Sequence, residues 1–112
     1  MNPKELHVGE VAFVGEQDGP PERELKTELV TRLGEAGAGY LAKVQYTSGE
    51  QSVALCLAST PEAAQADLAK EIGEVFHRMF GASSHLDILF LRPDQERQVA
   101  QVCTPFYRRT VS

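Results

Sequence analysis

Two cysteines and three histidines are the side chains with which this 112-residue chain could build nucleophilic or metal chemistry. Their settings argue against both. Cys56 falls inside an apolar strand pattern, Leu55-Cys56-Leu57, and Cys103 lies on the inner stripe of a short helix. A reactive thiol needs an electropositive, partly exposed site. A buried one behaves as a small hydrophobe. His7, His77 and His85 sit on a leading strand, a helix flank and a strand start, with no ligand spacing among them. No zinc site is therefore expected. Glu28, Glu71 and Glu74 fall on solvated helix faces, without the desolvating context that general acid work needs. The close-set Gly34, Gly37 and Gly39 follow a helix and precede a strand. A phosphate cradle needs the reverse order, with glycine amides opening a helix. No catalytic apparatus and no cofactor are expected.

Composition narrows the partners. Eleven Lys and Arg stand against 16 Asp and Glu, a formal charge of −5, which disfavours nucleic acid. Tyr40 and Tyr46 share one strand face while Lys43 lies on the other, so no basic stacking platform forms. Apolar runs such as Ile88 to Leu91 are far too short to span a bilayer, and residues 1–5 carry no apolar signal region. Hydrophobic residues make up 42% of the chain, enough for the core of a single domain, here 1–112 with its core at about 8–108. Two buried cysteines and no disulfide framework suit a cytoplasmic location.

The elements that would position these residues can be read from periodicity. Val8 to Val14 is a first strand, broken by Glu16-Gln17-Asp18-Gly19-Pro20. Pro21 opens a helix whose Leu25, Leu29, Val30 and Leu33 recur at helical spacing, with Gly34 or Gly37 to end it. From Gly39 to Thr47 the period is two, with Tyr40, Ala42, Val44 and Tyr46 on one face. Thr47-Ser48-Gly49-Glu50 is a hairpin turn into a return strand at 51–58. Its small residues Ser52, Ala54, Cys56 and Ala58 would admit a closely packed helix. Thr60-Pro61-Glu62 predicts a helix start with Thr60 as N-cap, followed by a stripe of Leu68, Ile72, Val75, Phe76 and Met79. His85 to Leu91 is apolar on both faces, which predicts a central strand. Pro93-Asp94 opens a short helix with Val99, Val102 and Cys103 inward, ended by Thr104-Pro105.

The first six elements give the α/β (α+β) pattern of a ferredoxin-like βαββαβ sandwich, with the last helix added at the C-terminus. Both crossover helices would lie on one sheet face. The other face would be left for a dimer, a partner or the C-terminal segment. That segment, Pro105-Phe106-Tyr107-Arg108, is the candidate binding element, because two adjacent aromatics near a chain end must be buried somewhere. Following directly on an inward stripe, Phe106 and Tyr107 are expected against their own domain, with Arg108 and Arg109 at the surface. Docking on another chain is the alternative.

Several of these residues are similar to one known family. The Gly39-Tyr40-Leu41-Ala42 strand entry, Leu55-Cys56-Leu57, His85-Leu86-Asp87-Ile88, Gly19-Pro20-Pro21 and the closing Thr104-Pro105-Phe106-Tyr107 resemble the C-terminal domain of the enhanced serine sensitivity protein (SseB) family. The similarity covers roughly residues 8–108 and is carried mostly by hydrophobic pattern, the terminal Pro-Phe-Tyr being its most specific part. It implies a bacterial cytoplasmic domain without established catalytic residues. The family usually has two domains, and this sequence matches only the second. The expected function is a non-enzymatic interaction or adaptor domain acting through a protein partner or a homodimer. The alternative is a regulatory domain that senses a small ligand such as an amino acid.

Overall fold

The computed structural model describes residues 11–17, 19–81, 83 and 86–109. Residues 8–10 of the expected first strand, His85 and His7 lie outside that set. The elements in order are β1 (Ala12–Glu16), α1 (Pro20–Leu29), β2 (Ala38–Gln45), β3 (Gln51–Ala58), α2 (Glu62–Phe80), β4 (Asp87–Leu91), α3 (Pro93–Ala100) and β5 (Tyr107–Arg108). The chain is thus a mixed α/β fold, with a five-stranded sheet ordered β1-β2-β3-β4 and β5 attached to β2.

This order differs from the one expected. A ferredoxin-like sandwich is made of split βαβ units, in which two parallel strands joined through a helix leave room for a third between them. Here β1 lies antiparallel and directly beside β2, and β3 lies parallel and directly beside β4. β1 and β2 are therefore joined without a crossover, and the crossover from β3 to β4 is not split. The β2–β3 hairpin fixes the middle of the sheet: Gly49 N–H donates to Tyr46 O at 2.8 Å, and Gly49 takes the left-handed φ of +91° that the turn requires. Each neighbouring helix then returns the chain to the nearest free edge.

Strand alternation divides the core into two layers. Leu41, Leu55 and Leu57 point to one face, where they meet Leu25, Leu29 and Leu33 from α1 and its exit and Leu68, Ile72 and Val75 from α2. Each such side chain fully removed from water contributes roughly 1.5–3 kcal/mol. Tyr40, Ala42, Val44, Ala54, Cys56 and Ala58 point to the other face, where Val99 and Cys103 cover them. The small-residue stripe therefore receives α3, and the face expected to stay helix-free is occupied. Val102, expected inward, is 39% exposed, because the chain leaves the helix at Gln101 and only Cys103 turns back.

Three local readings also change. β4 is apolar on both faces yet stands at the end of the strand order. Ile88 and Phe90 pack into the α1/α2 layer, Leu89 and Leu91 into the α3 layer, so two-sided apolarity reports coverage by helices rather than a central position. α1 ends at Leu29, before either glycine, as an i−3 bond from Arg32 N–H to Leu29 O at 2.8 Å tightens the chain. Thr60 does not cap α2. Pro61 holds the N-cap position with no side-chain cap, and the Thr60 hydroxyl donates to Ala58 O at 3.4 Å.

Candidate functional site

The C-terminal segment closes on its own domain. Phe106 N–H donates to Gly39 O at 2.9 Å and Arg109 N–H to Gly37 O at 2.8 Å. These bonds register Tyr107 against Gly39 and Arg108 against Ala38. β5 thus continues the edge that β1 occupies further along β2. Phe106 and Tyr107 are half-buried against the α1/α2 layer. Gly39 permits this: a Cβ there would lie 3.1 Å from Leu33 Cδ1 and 3.5 Å from the Phe106 ring. Arg108 and Arg109 are exposed, although the Arg109 guanidinium donates to Gly34 O at 2.8 Å. At the root of the tail, Thr104 N–H donates to Glu16 Oε1 at 3.0 Å. The tail residues are brought together, as a strap across the end of β2.

Around that strap lies a small polar array. Tyr40 OH donates to Glu96 Oε2 at 3.3 Å, and burial followed by the Glu96 charge raises the phenol above its ordinary pKa, while Arg108 works against them. Next to Glu96 a cleft of about 370 Å³ opens at the carboxyl ends of β3 and β4, lined by Ser59, Thr60, Pro61, Leu91, Pro93 and Glu96. Open α/β sheets present ligand crevices at such strand ends. The cleft offers two hydroxyls beside the start of α2 and one carboxylate from α3. Ser59 holds a left-handed φ of +53°, which a non-glycine residue adopts at a cost.

The cysteines are placed as their sequence settings predict. Both are free and buried. Burial pushes the Cys56 thiol far above its usual range, and burial reinforced by Glu16 pushes Cys103 up to about 11. The Cys103 sulfur sits 3.4 Å from Leu41 O. Thiols held protonated in this way are the opposite of activated nucleophiles. His77 is exposed on the last turn of α2, its ring 6.1 Å from that of Phe76. Glu28 and Glu71 both meet the Arg32 guanidinium, at 3.3 and 3.2 Å, on the surface, and Glu74 is exposed.

Two buried polar residues escape sequence reasoning. Gln95 and Asp87 are 2% and 1% exposed. Gln95 Oε1 accepts from Arg92 N–H at 2.9 Å, closing the start of α3. Asp87 Oδ2 accepts a hydrogen bond from Tyr46 OH across the far end of the sheet. Nothing in the linear pattern marks Asp87 as buried, since a carboxylate opening a strand usually faces water.

The pair has a consequence for pH. Burial first, and the Asp87 hydrogen bond second, raise the Tyr46 phenol well above its ordinary 10.0. A group whose folded pKa is raised contributes stability that is whole below the unfolded pKa and lost as pH rises above it. Stability should therefore fall from about pH 10 upward. In Tyr46→Phe this alkaline loss should be visibly shallower, while stability at neutral pH drops by about 1–2 kcal/mol because Asp87 loses a partner. Urea titrations from pH 7 to 11 check both, and parallel slopes for the two proteins would refute the assignment.

The two sheet edges differ. β1 carries a register shift between Phe13 and Gly15 that throws Val14 outward, 46% exposed, and β5 follows it along the same side of β2. β4 has a regular register against β3 and, among the described residues, no strand on its other side. Its sequence Asp87-Ile88-Leu89-Phe90-Leu91 contains no lysine, proline or glycine. Among the described residues no helix is long and apolar enough to cross a membrane, and no group of His, Cys, Asp and Glu is placed to hold a metal ion. Comparison with known proteins adds nothing to this geometry: no family model, no curated protein and no solved structure matches the chain.

Proposed function

We propose that this chain is a non-enzymatic interaction domain of the type formed by the C-terminal domain of the enhanced serine sensitivity family, working in the cytoplasm by adding a strand from another polypeptide to its sheet. The observation that carries this reading is the outer edge of β4. Natural sheet edges are blunted by bulges, prolines, charges or covering segments because an open edge templates pairing. β1 has a register shift and an in-line neighbour, whereas β4 is regular and, apart from the buried Asp87 at its start, apolar, with no covering strand among the described residues. Strand addition draws affinity from main-chain hydrogen bonds and specificity from alternate side chains. Ile88 and Phe90 on one face, and Leu91 on the other, are only half-buried and would supply those contacts. Protein rather than nucleic acid is the fitting partner for a surface with net charge −5.

Selection of displayed extended peptides on the full-length chain tests this. The recovered binders should slow amide exchange across residues 88–91 and lose at least about tenfold in affinity against Ile88→Lys, the kind of charge that guards natural edges. Binders that map elsewhere, or that bind Ile88→Lys equally well, would refute strand addition at β4.

A second reading is favoured by the cleft beside Glu96. Hydroxyls and the start of a long helix at one end, with a carboxylate at the other, complement the two charges of a free amino acid. The domain would then sense such a ligand. Isothermal titration with the common amino acids should give heat that is lost in Glu96→Gln, and no heat at millimolar ligand would dismiss this reading.

A further inference from the structure

We propose that the layer between α1, α2 and the sheet holds a binding site for a small organic cation, a primary amine carrying an aromatic or branched aliphatic body. The site is a cavity of about 350 Å³ at the end of the layer where α1 begins and α2 stops, within the size range of small-molecule pockets. It lies apart from the cleft beside Glu96 and shares no residue with β4. Leu25 and Leu41, both nearly sealed from solvent, form its floor. Val53, Phe76, Phe80 and Leu86 form its walls and are only half-buried, so part of their apolar surface is open to the cavity. The rings of Phe76 and Phe80, one turn apart on α2, stand 4.9 Å from each other at a tilt of 39°. They make one broad aromatic wall, of the kind that attracts both apolar groups and cations.

One group in the lining is charged. Glu22 stands at the mouth, half-buried, beside Pro21. Apolar pockets use a few polar groups placed in this way to fix the orientation of a ligand. Among the described residues Glu22 makes no side-chain hydrogen bond and no ion pair. A Cβ on Gly19 would come within 2.6 Å of Glu22 Oε1, so the bare glycine leaves the carboxylate its place. The start of α1 does little to neutralise that charge. Its first two positions are Pro20 and Pro21, which carry no N–H, and the Arg23 N–H is spent on Gly19 O at 2.9 Å. Phe80 is the last residue of α2, so the carbonyl end of a long helix borders the same cavity and adds negative potential. The last-turn His77 and Arg78 are exposed and stand outside the lining. Charge therefore selects a cation over an anion. The apolar walls disfavour a bare inorganic ion, which would lose its hydration without repayment. An ammonium on Glu22 with its hydrocarbon body among Leu25, Phe76 and Phe80 meets both conditions.

Amide NMR of the full-length chain, with phenethylamine as the probe, tests the site. The amine should shift the amides of Glu22, Val53, Phe76 and Phe80 and their neighbours, saturating in the millimolar range or below. Phenethyl alcohol, a neutral molecule of nearly the same shape, should bind about fivefold more weakly, the upper range for a partly exposed ion pair. Glu22→Gln keeps the shape of the mouth and should bring the amine down to the level of the alcohol. Val53→Phe places a ring in the cavity and should abolish the shifts for both. Shifts that map elsewhere, or none at millimolar amine, overturn the site. Equal binding of amine and alcohol, or of the amine to Glu22→Gln and the unsubstituted chain, overturns the cation as its ligand. Undiminished binding in Val53→Phe overturns the cavity as the place of binding. Should Val53→Phe fail to fold, the alcohol and Glu22→Gln, a substitution at the mouth rather than in the core, decide by themselves.

Discussion

Phe106→Ala combined with Tyr107→Ala is expected to destabilise the domain by about 4 kcal/mol, taking roughly half the cost of truncating a fully buried aromatic at each half-buried position. For a chain of this length that lowers Tm by about 20 °C. Two effects add. The aromatic rings leave the α1/α2 layer, where Phe106 packs over Gly39 beside Leu33. The strap then loses the anchorage that holds its bonds to Gly39 O and Gly37 O, and the edge of β2 at Ala38 and Gly39 is left unpaired. A segment that merely displayed aromatics for a partner would behave otherwise, because removing them would change binding and leave the melt in place. Thermal and urea unfolding of the double variant decide the matter. A change below about 1 kcal/mol, the scale of ordinary surface substitutions, would mean that the strap does not lock the fold. Arg108→Ala serves as the comparison, since its side chain is exposed and meets the Tyr40 hydroxyl at the surface, and it should cost far less.

How much of this was legible in the sequence follows from which interactions are local. The hairpin at Gly49, the return strand at 51–58 and the inner stripe of α2 depend on turn chemistry and periodicity, and all three are found as read. The closing of Phe106 and Tyr107 onto their own domain was legible too, from the inward stripe that precedes them. The strand order was not. It depends on where each helix returns the chain, and the same βαββαβ alternation serves both split and unsplit crossovers. β4 shows the ambiguity in one strand. Ile88, Leu89, Phe90 and Leu91 would look the same in the middle of a sheet and at an edge covered by helices on both faces. The buried ends of polar side chains were the least legible. Tyr46 and Asp87 lie 41 positions apart, and only the finished sheet sets the hydroxyl over the carboxylate. Thr60 failed as a cap for a related reason: the turn at Ser59 brings its hydroxyl back to Ala58 O, a strand carbonyl that also accepts from Gly37 N–H.

The same turn supports the second large effect, Gly37→Ala. Gly37 enters β2 between two neighbours that fix it. Its N–H donates to Ala58 O at 2.7 Å, and its carbonyl accepts from Arg109 N–H at 2.8 Å. A methyl group there would stand 2.7 Å from Ser59 Cβ and 3.3 Å from Ala58 O, far inside contact distance. The backbone cannot slide away without breaking a bond on one side or the other. A cost of about 3 kcal/mol is expected, at the upper end of overpacking effects. Ser59 supplies the clashing carbon and itself sits at a φ of +53°, where glycine rests without strain. Ser59→Gly alone should therefore be neutral or stabilising by up to about 1 kcal/mol. Combined with Gly37→Ala, it should recover about 2 kcal/mol of the loss, a coupling typical of residues in direct contact. Urea unfolding of the two single variants and the double variant closes the cycle. Strict additivity would show that the close approach of β2 to the end of β3 is not what holds Gly37. Recovery in the double variant would show that the turn lining the Glu96 cleft and the strap across β2 are fastened at one point.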